Sequence, residues 1–225
     1  MANDRTSTAM EEREVRIALG KTALGGNLVI PPEAQGIVVF AHGSGSSRFS
    51  PRNRFVASNL QSEGLATLLC DLLTREEEAI DERTGSLRFD IGLLAGRLSE
   101  ITQWVITRQD TKHLAVGYFG ASTGAAAALI AETQNPGAVH AVVSRGGRPD
   151  LAGRALGRVQ APTLLIVGGD DYQVIALNEQ ALEQLTGMKE MVIVPGATHL
   201  FEEPGTLESV ARLSSQWFRK YLVRG

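Results

Sequence analysis

Residues 115–130 read AVGYFGASTGAAAALI. The first half is apolar on consecutive positions, the pattern of a strand covered on both faces. The second half is a run of alanines that lets a helix pack close to a sheet. Between them Ser122 stands in GASTG, a G-x-S-x-G pentapeptide at a strand–turn–helix junction. A serine in that place is either a nucleophile on a strained turn or an ordinary helix cap. The neighbours favour the nucleophile. Gly120, Ala121, Gly124 and Ala125 are small enough for strand and helix to approach, and a helix N-terminus supplies partial positive charge near a developing oxyanion.

On both sides of this junction short apolar runs alternate with helical patterns. GIVVFAH (36–42), ATLLCD (66–71), HLAVGYF (113–119), AVVSR (141–145), TLLIVG (163–168) and MVIVPG (191–196) read as strands. The stretch from Ser50 to Gly64 reads as a helix with Ser50 at N-cap and Pro51 at N1. Residues 88–108 and 206–222 each carry one apolar stripe at steps of three and four. EVRIAL and NLVIPP near the start read as an antiparallel edge pair. This alternation predicts an α/β fold: a mostly parallel sheet of about seven to eight strands with helices on both faces. Residues 13–225 are expected to form a single domain after a flexible segment 1–12, with no large cap domain. The charged stretch 72–90 is expected to be a surface loop, either merely solvated, the favoured reading, or bordering the site as a mobile lid.

The 22 basic and 25 acidic residues nearly balance and are interspersed, which argues against a nucleic-acid groove or a polybasic membrane patch. No apolar run approaches the ~20 residues of a membrane span, and the polar start lacks the apolar core of a secretion signal. The expectation is a cytoplasmic protein acting on a small molecule, as a monomer or homodimer, with no nucleic-acid or membrane partner. The single cysteine, Cys70, lies in an apolar run and reads as a core residue. ALGKT lacks the upstream glycine of a phosphate-binding loop, since Val15 occupies that position, and HGSGSSR has Arg48 where a dinucleotide motif needs its third glycine. No clustered ligands suggest a metal site, and no cofactor is expected.

A nucleophilic serine needs a base, and the base needs an orienting acid, each on a loop at the C-terminal ends of the strands. Of His42, His113, His140 and His199, only His199 follows both Ser122 and an acid that comes after a strand. The acid comes from GGDD; its spacing from Gly168 favours Asp171, with Asp170 as the alternative. The glycine-rich AHGSGSS (41–47) follows the first parallel strand and is the candidate oxyanion loop. Its Ser44 N–H and the Thr123 N–H are the two expected donors.

FAHGSGSS, GYFGASTGAAAAL, SRGGRPDLA, APTLLIVGGDD and VPGATHLFEEPG together resemble the α/β-hydrolase superfamily, in its dienelactone hydrolase-like branch, over nearly the whole chain from about residue 13. The resemblance implies a compact hydrolase with Ser122 as nucleophile, Asp171 as acid and His199 as base. True dienelactone hydrolases carry cysteine where this chain has Ser122, which shifts the expectation to a carboxylesterase-type serine hydrolase of small, short-chain esters. The branch's acidic substrates make Arg145 and Arg48 candidates for gripping a substrate carboxylate, with pairing of Arg145 to Glu202 or Glu203 as the favoured structural alternative. A lactone or half-ester hydrolase, a non-hydrolytic acyltransferase and a ligand-binding protein on the same scaffold stay open.

Overall fold

A computed structural model describes residues 11–223. Eight strands form one sheet in the order β1-β2-β4-β3-β5-β6-β7-β8, with β1 Arg13–Leu19, β2 Thr22–Val29, β3 Gly36–Ala41, β4 Ala66–Cys70, β5 Ala115–Ala121, β6 Val139–Arg145, β7 Thr163–Gly168 and β8 Lys189–Val194. The β1–β2 and β2–β4 pairs are antiparallel. All other pairs are parallel. The expected edge pair is therefore present, and β2 begins earlier than its apolar half, NLV, indicated.

The helices are α1 Pro51–Ser62, α2 Arg75–Thr84, α3 Ile91–Thr107, α4 Thr123–Gln134, α5 Tyr172–Gln184 and α6 Thr206–Leu222. A 3-10 segment spans Pro149–Arg158 with a kink at Gly153. Ser50 caps α1, with Pro51 in its first turn, as the sequence predicts. Strand periodicity sorts the core into two layers. Ile37, Val39 and Ala41 share one cluster with Leu94, Leu98, Ile101 and Val105 of α3 and with Ala126, Ala127, Ala128 and Ala131 of α4. Val38 and Phe40 face the opposite way, against Val56 and Leu60 of α1 and Val210, Trp217 and Phe218 of α6. Phe40 and Phe119 pack across that second layer with ring centroids 4.9 Å apart.

β3 is followed in space by β4 on one side and β5 on the other, so the strand order reverses between β3 and β5. In open α/β sheets a crevice opens at the carboxyl ends of the strands where this happens. The loop after β3 carries Ser44 and the turn after β5 carries Ser122, so both reach that crevice.

One expectation is corrected. Residues 72–90 are not a loop but contain α2. Thr74 and Glu77 form a capping box, Arg97 holds Glu77 at 2.6 Å, and Asp81 gathers the Leu87 and Arg88 N–H groups at 2.7 and 3.0 Å. The weak apolar periodicity reflects a helix fastened by charged side chains. The segment 1–12, expected to be flexible, lies outside the described residues except for residues 11 and 12. Glu12 is tied down, accepting from Asn27 at 2.7 Å and pairing with Arg54 at 3.0 Å.

Candidate active site

Ser122 sits between β5 and α4 with φ 51° and ψ −123°, a conformation that costs a non-glycine residue about 1–3 kcal/mol. The surroundings compel it. A Cβ at Gly120 would lie 2.5 Å from the Ala125 Cα, and one at Gly124 would lie 2.6 Å from the His42 carbonyl oxygen. The glycines of the pentapeptide therefore let α4 press against β5 and the end of β3. Three backbone bonds then hold the turn. Ser122 N–H donates to the Arg145 carbonyl at 3.3 Å, while Arg148 N–H and Ala125 N–H donate to the Ser122 carbonyl at 3.0 and 3.1 Å. The serine side chain caps nothing.

The loops after β7 and β8 are fastened to each other. Gly169 N–H donates to Val194 O and Asp170 N–H to Ala197 O, at 2.8 and 2.9 Å. His199 Nδ1 lies 2.7 Å from Asp171 Oδ2. With the aspartate as acceptor, Nδ1 carries the proton and Nε2 keeps its lone pair. Asp170 is exposed and its neighbour Asp171 half-buried, and of the two carboxylates it is that of Asp171 that meets the imidazole. His199 itself is 38% exposed. His113 and His140 stand at the opposite, N-terminal edge of the sheet, just before β5 and at the second position of β6.

The loop after β3 lies against the serine: a Cβ on Gly43 would sit 2.9 Å from Ser122 Cβ. Its conformation is set by His42, which is buried. His42 Nε2 accepts the Leu72 N–H at 3.2 Å, and Nδ1 donates to the Gly43 carbonyl at 3.0 Å. Burial pushes the His42 pKa down, outweighing the Gly43 bond and the Asp71 charge that raise it. The two expected oxyanion donors differ in state. Thr123 N–H is in the first turn of α4, where a helix leaves its donors without an internal acceptor. Ser44 N–H is engaged, donating to Thr123 Oγ1 at 2.9 Å.

The two arginines proposed for substrate carboxylates are buried, and both expectations are corrected. Arg48 is 7% exposed. It pairs with Glu14 at 2.6 Å and stands 3.6 Å from Asp71, which also accepts the Arg48 backbone N–H at 2.9 Å. Its guanidinium crosses β2 at Gly25, where a Cβ would overlap Nη1 and lie 2.7 Å from Cζ. Arg145 is 5% exposed and pairs with neither Glu202 nor Glu203. It donates to Asn53 Oδ1 at 3.3 Å and stacks over Phe201. Glu202 is taken by Arg52 at 2.9 Å and Glu203 by the Thr198 hydroxyl at 2.6 Å. Each arginine already has a place inside the protein, because each crosses a gap between elements that a long planar donor can bridge.

A cavity of about 360 Å³ opens beside the Ser44 loop, lined by residues 42–47 and by Leu73, Glu78, Asp81, Glu82, Arg88 and Leu94. Three carboxylates against one guanidinium make it net acidic. Burial, Asp71 and Glu82 together raise the Glu78 pKa. Sequence reasoning missed two contributors: α2, whose TREE start carries a capping-box signal, and the SRGGR turn (144–148), whose backbone brackets Ser122. In that turn Gly146 has φ 50°, and a Cβ there would approach the His199 carbonyl oxygen to 2.9 Å. Among the described residues no group of three or more His, Cys, Asp or Glu is placed to hold a metal ion, and no helix is long and apolar enough to cross a membrane.

Comparison with known proteins bears on the family and the fold. The model of the dienelactone hydrolase family matches residues 24–220. A crystal structure of a dienelactone hydrolase from Anabaena variabilis is 64% identical and superposes with a TM-score of 0.94, covering 95% of this chain and 99% of the other. Est1E from Butyrivibrio proteoclasticus, 14% identical with a TM-score of 0.76 over 92% of this chain and 98% of its own, shares the fold. Relatives in two strains of Mycobacterium tuberculosis, each named "Putative phosphoribosyl transferase", are 56% identical over 213 residues, 95% of this chain but 47% of theirs. The chain thus spans about half the length of those curated relatives. The extent of the family match shows that this chain belongs to the dienelactone hydrolase family.

Proposed function

We propose that the protein is a serine hydrolase that cleaves carboxylic esters of small, short-chain substrates, with Ser122 as nucleophile, His199 as base and Asp171 as its orienting acid. The observation that carries the reading is the 2.7 Å His199–Asp171 bond at the sheet edge where Ser122 is held on a strained turn. His199 Nε2 takes the Ser122 proton as Oγ attacks the ester carbonyl, and Asp171 stabilises the imidazolium. Thr123 N–H faces the developing oxyanion. Ser44 N–H joins it when Thr123 Oγ1 yields its bond; a single oxyanion-hole donor is typically worth about 2.7–4 kcal/mol of barrier. The imidazolium protonates the leaving alcohol, and water repeats the cycle on the acyl-enzyme. Every step uses groups of this chain.

The acidic cavity and the burial of Arg48 and Arg145 favour neutral esters over half-esters of diacids. A lactonase reading draws support from the name of the Anabaena relative. The transferase name belongs to chains of which this one covers 47%, whereas Ser122, Asp171 and His199 all lie inside the family match at 24–220. We further propose a monomeric or homodimeric cytoplasmic enzyme. The test is hydrolysis of p-nitrophenyl esters of increasing acyl length beside an ester of succinate and a simple lactone. Saturable turnover, strongest on short neutral esters and absent in Ser122→Ala, is expected. Full activity in Ser122→Ala overturns the assignment.

A further inference from the structure

We propose that Arg145 is a positioning residue for the base: its buried guanidinium holds the His199 loop, through Phe201, in register with Ser122. The inference rests on the serine-hydrolase reading. Arg145 touches both halves of the site. Its carbonyl accepts the Ser122 N–H at 3.3 Å, and its Cζ lies 5.8 Å from the centroid of the Phe201 ring, within the ~6 Å reach of a cation–π contact.

Phe201 closes the turn that carries His199, its N–H donating to Thr198 O at 3.2 Å. It does so at φ 56°, left-handed backbone that a bulky side chain adopts only when its surroundings impose it. Two features impose it here. The ring is 1% exposed in the layer formed with α6, and the guanidinium lies on its face.

Among the described residues Arg145 has no carboxylate partner. From α1, Asn53 Oδ1 accepts at 3.3 Å and Arg52 contributes a like charge. From the base loop, Glu202 and Glu203 are committed to Arg52 and Thr198. Arg145 Nε is buried with no acceptor, and burial, then Arg52, pulls the guanidinium pKa down to about 10. A buried charge without a counter-charge destabilises a fold, and well-packed apolar replacements of buried charged groups are often neutral or stabilising. Arg145 thus sits where stability alone would favour an apolar chain of similar length, and what it contributes is the placement of the base loop.

The test compares Arg145→Met, Arg145→Lys and wild type by melting temperature, by kcat and KM on a p-nitrophenyl ester, and by the rate of fluorophosphonate labelling at Ser122. Arg145→Met is expected to melt at or above the wild type, with kcat and labelling lowered about ten- to a hundredfold, as for a displaced catalytic group, and KM little changed. Arg145→Lys, which keeps the charge, should fall between the two. Equal labelling of wild type and Arg145→Met overturns the proposal, as does activity that falls only in step with melting temperature. If Arg145→Met does not fold, Phe201→Leu takes its place, and wild-type kcat there overturns the proposal. A wild type that labels nowhere refutes the serine-hydrolase reading instead.

Discussion

Replacing Gly25 by alanine tests whether Arg48 sets the loop that bears Ser44. Gly25 is on β2, remote in sequence from every candidate site residue, and an added Cβ would overlap Arg48 Nη1 and come within 3.1 Å of Asp71 Oδ2. The guanidinium must shift, and two interactions change. The pair to Glu14 is worth little, about 0–1 kcal/mol, because that carboxylate is 71% exposed. The approach to Asp71, at 3.6 Å with side chains 8% and 19% exposed, is nearer the buried class, whose disruption costs about 3–5 kcal/mol. That range is an upper bound here, since Asp71 keeps the Arg48 backbone N–H. We therefore expect a loss of about 2–3 kcal/mol, hence a melting temperature about 4–12 °C lower for a domain of this size. Because residue 48 closes the loop carrying Ser44, kcat should fall about tenfold. The assay is a double-mutant cycle of Gly25→Ala with Arg48→Ala, followed by calorimetry and ester turnover. With Arg48 removed, Gly25→Ala should be neutral or mildly stabilising. Additive losses in the double variant would refute the clash as the cause.

Two further changes probe the site directly. Asp171→Asn should lower kcat by about 10⁴-fold, the effect of the corresponding change in a serine-protease triad, while Asp170→Asn should leave kcat near wild type; comparable losses in both would contradict the assigned hydrogen bond. His42 must be neutral for Nε2 to accept the Leu72 N–H, and its folded pKa lies below the unfolded value. The unfolded chain therefore binds more protons once pH drops below about 6.5, and stability falls from there down to the folded pKa. Melting curves between pH 7.5 and 5 should show that decline, and His42→Gln, which retains an acceptor oxygen, should reduce it.

What could be read without coordinates was what local physics decides. Capping residues and apolar stripes marked α1, α3 and α6, because burial against a sheet imposes that spacing. The serine turn was legible because close approach of α4 to β5 admits only small residues there. The features that escaped depend on neighbours far along the chain. α2 is fastened through Glu77–Arg97 and Asp81–Arg88 instead of an apolar stripe. The fates of Arg48 and Arg145 are set by Glu14 and Asp71, and by Asn53 and Phe201, partners that no spacing in the sequence reveals. Asp171 and Asp170 were separable only once the turn after β7 showed which carboxylate meets the imidazole.

The serine-hydrolase reading turns on Ser122 as the nucleophile. Treating the intact protein with a fluorophosphonate and mapping the modified peptide by mass spectrometry tests it most directly. One adduct is expected, on Ser122, formed in step with loss of ester turnover and missing from Ser122→Ala. Turnover that persists in fully labelled protein, or an adduct on another residue with Ser122 untouched, would contradict it.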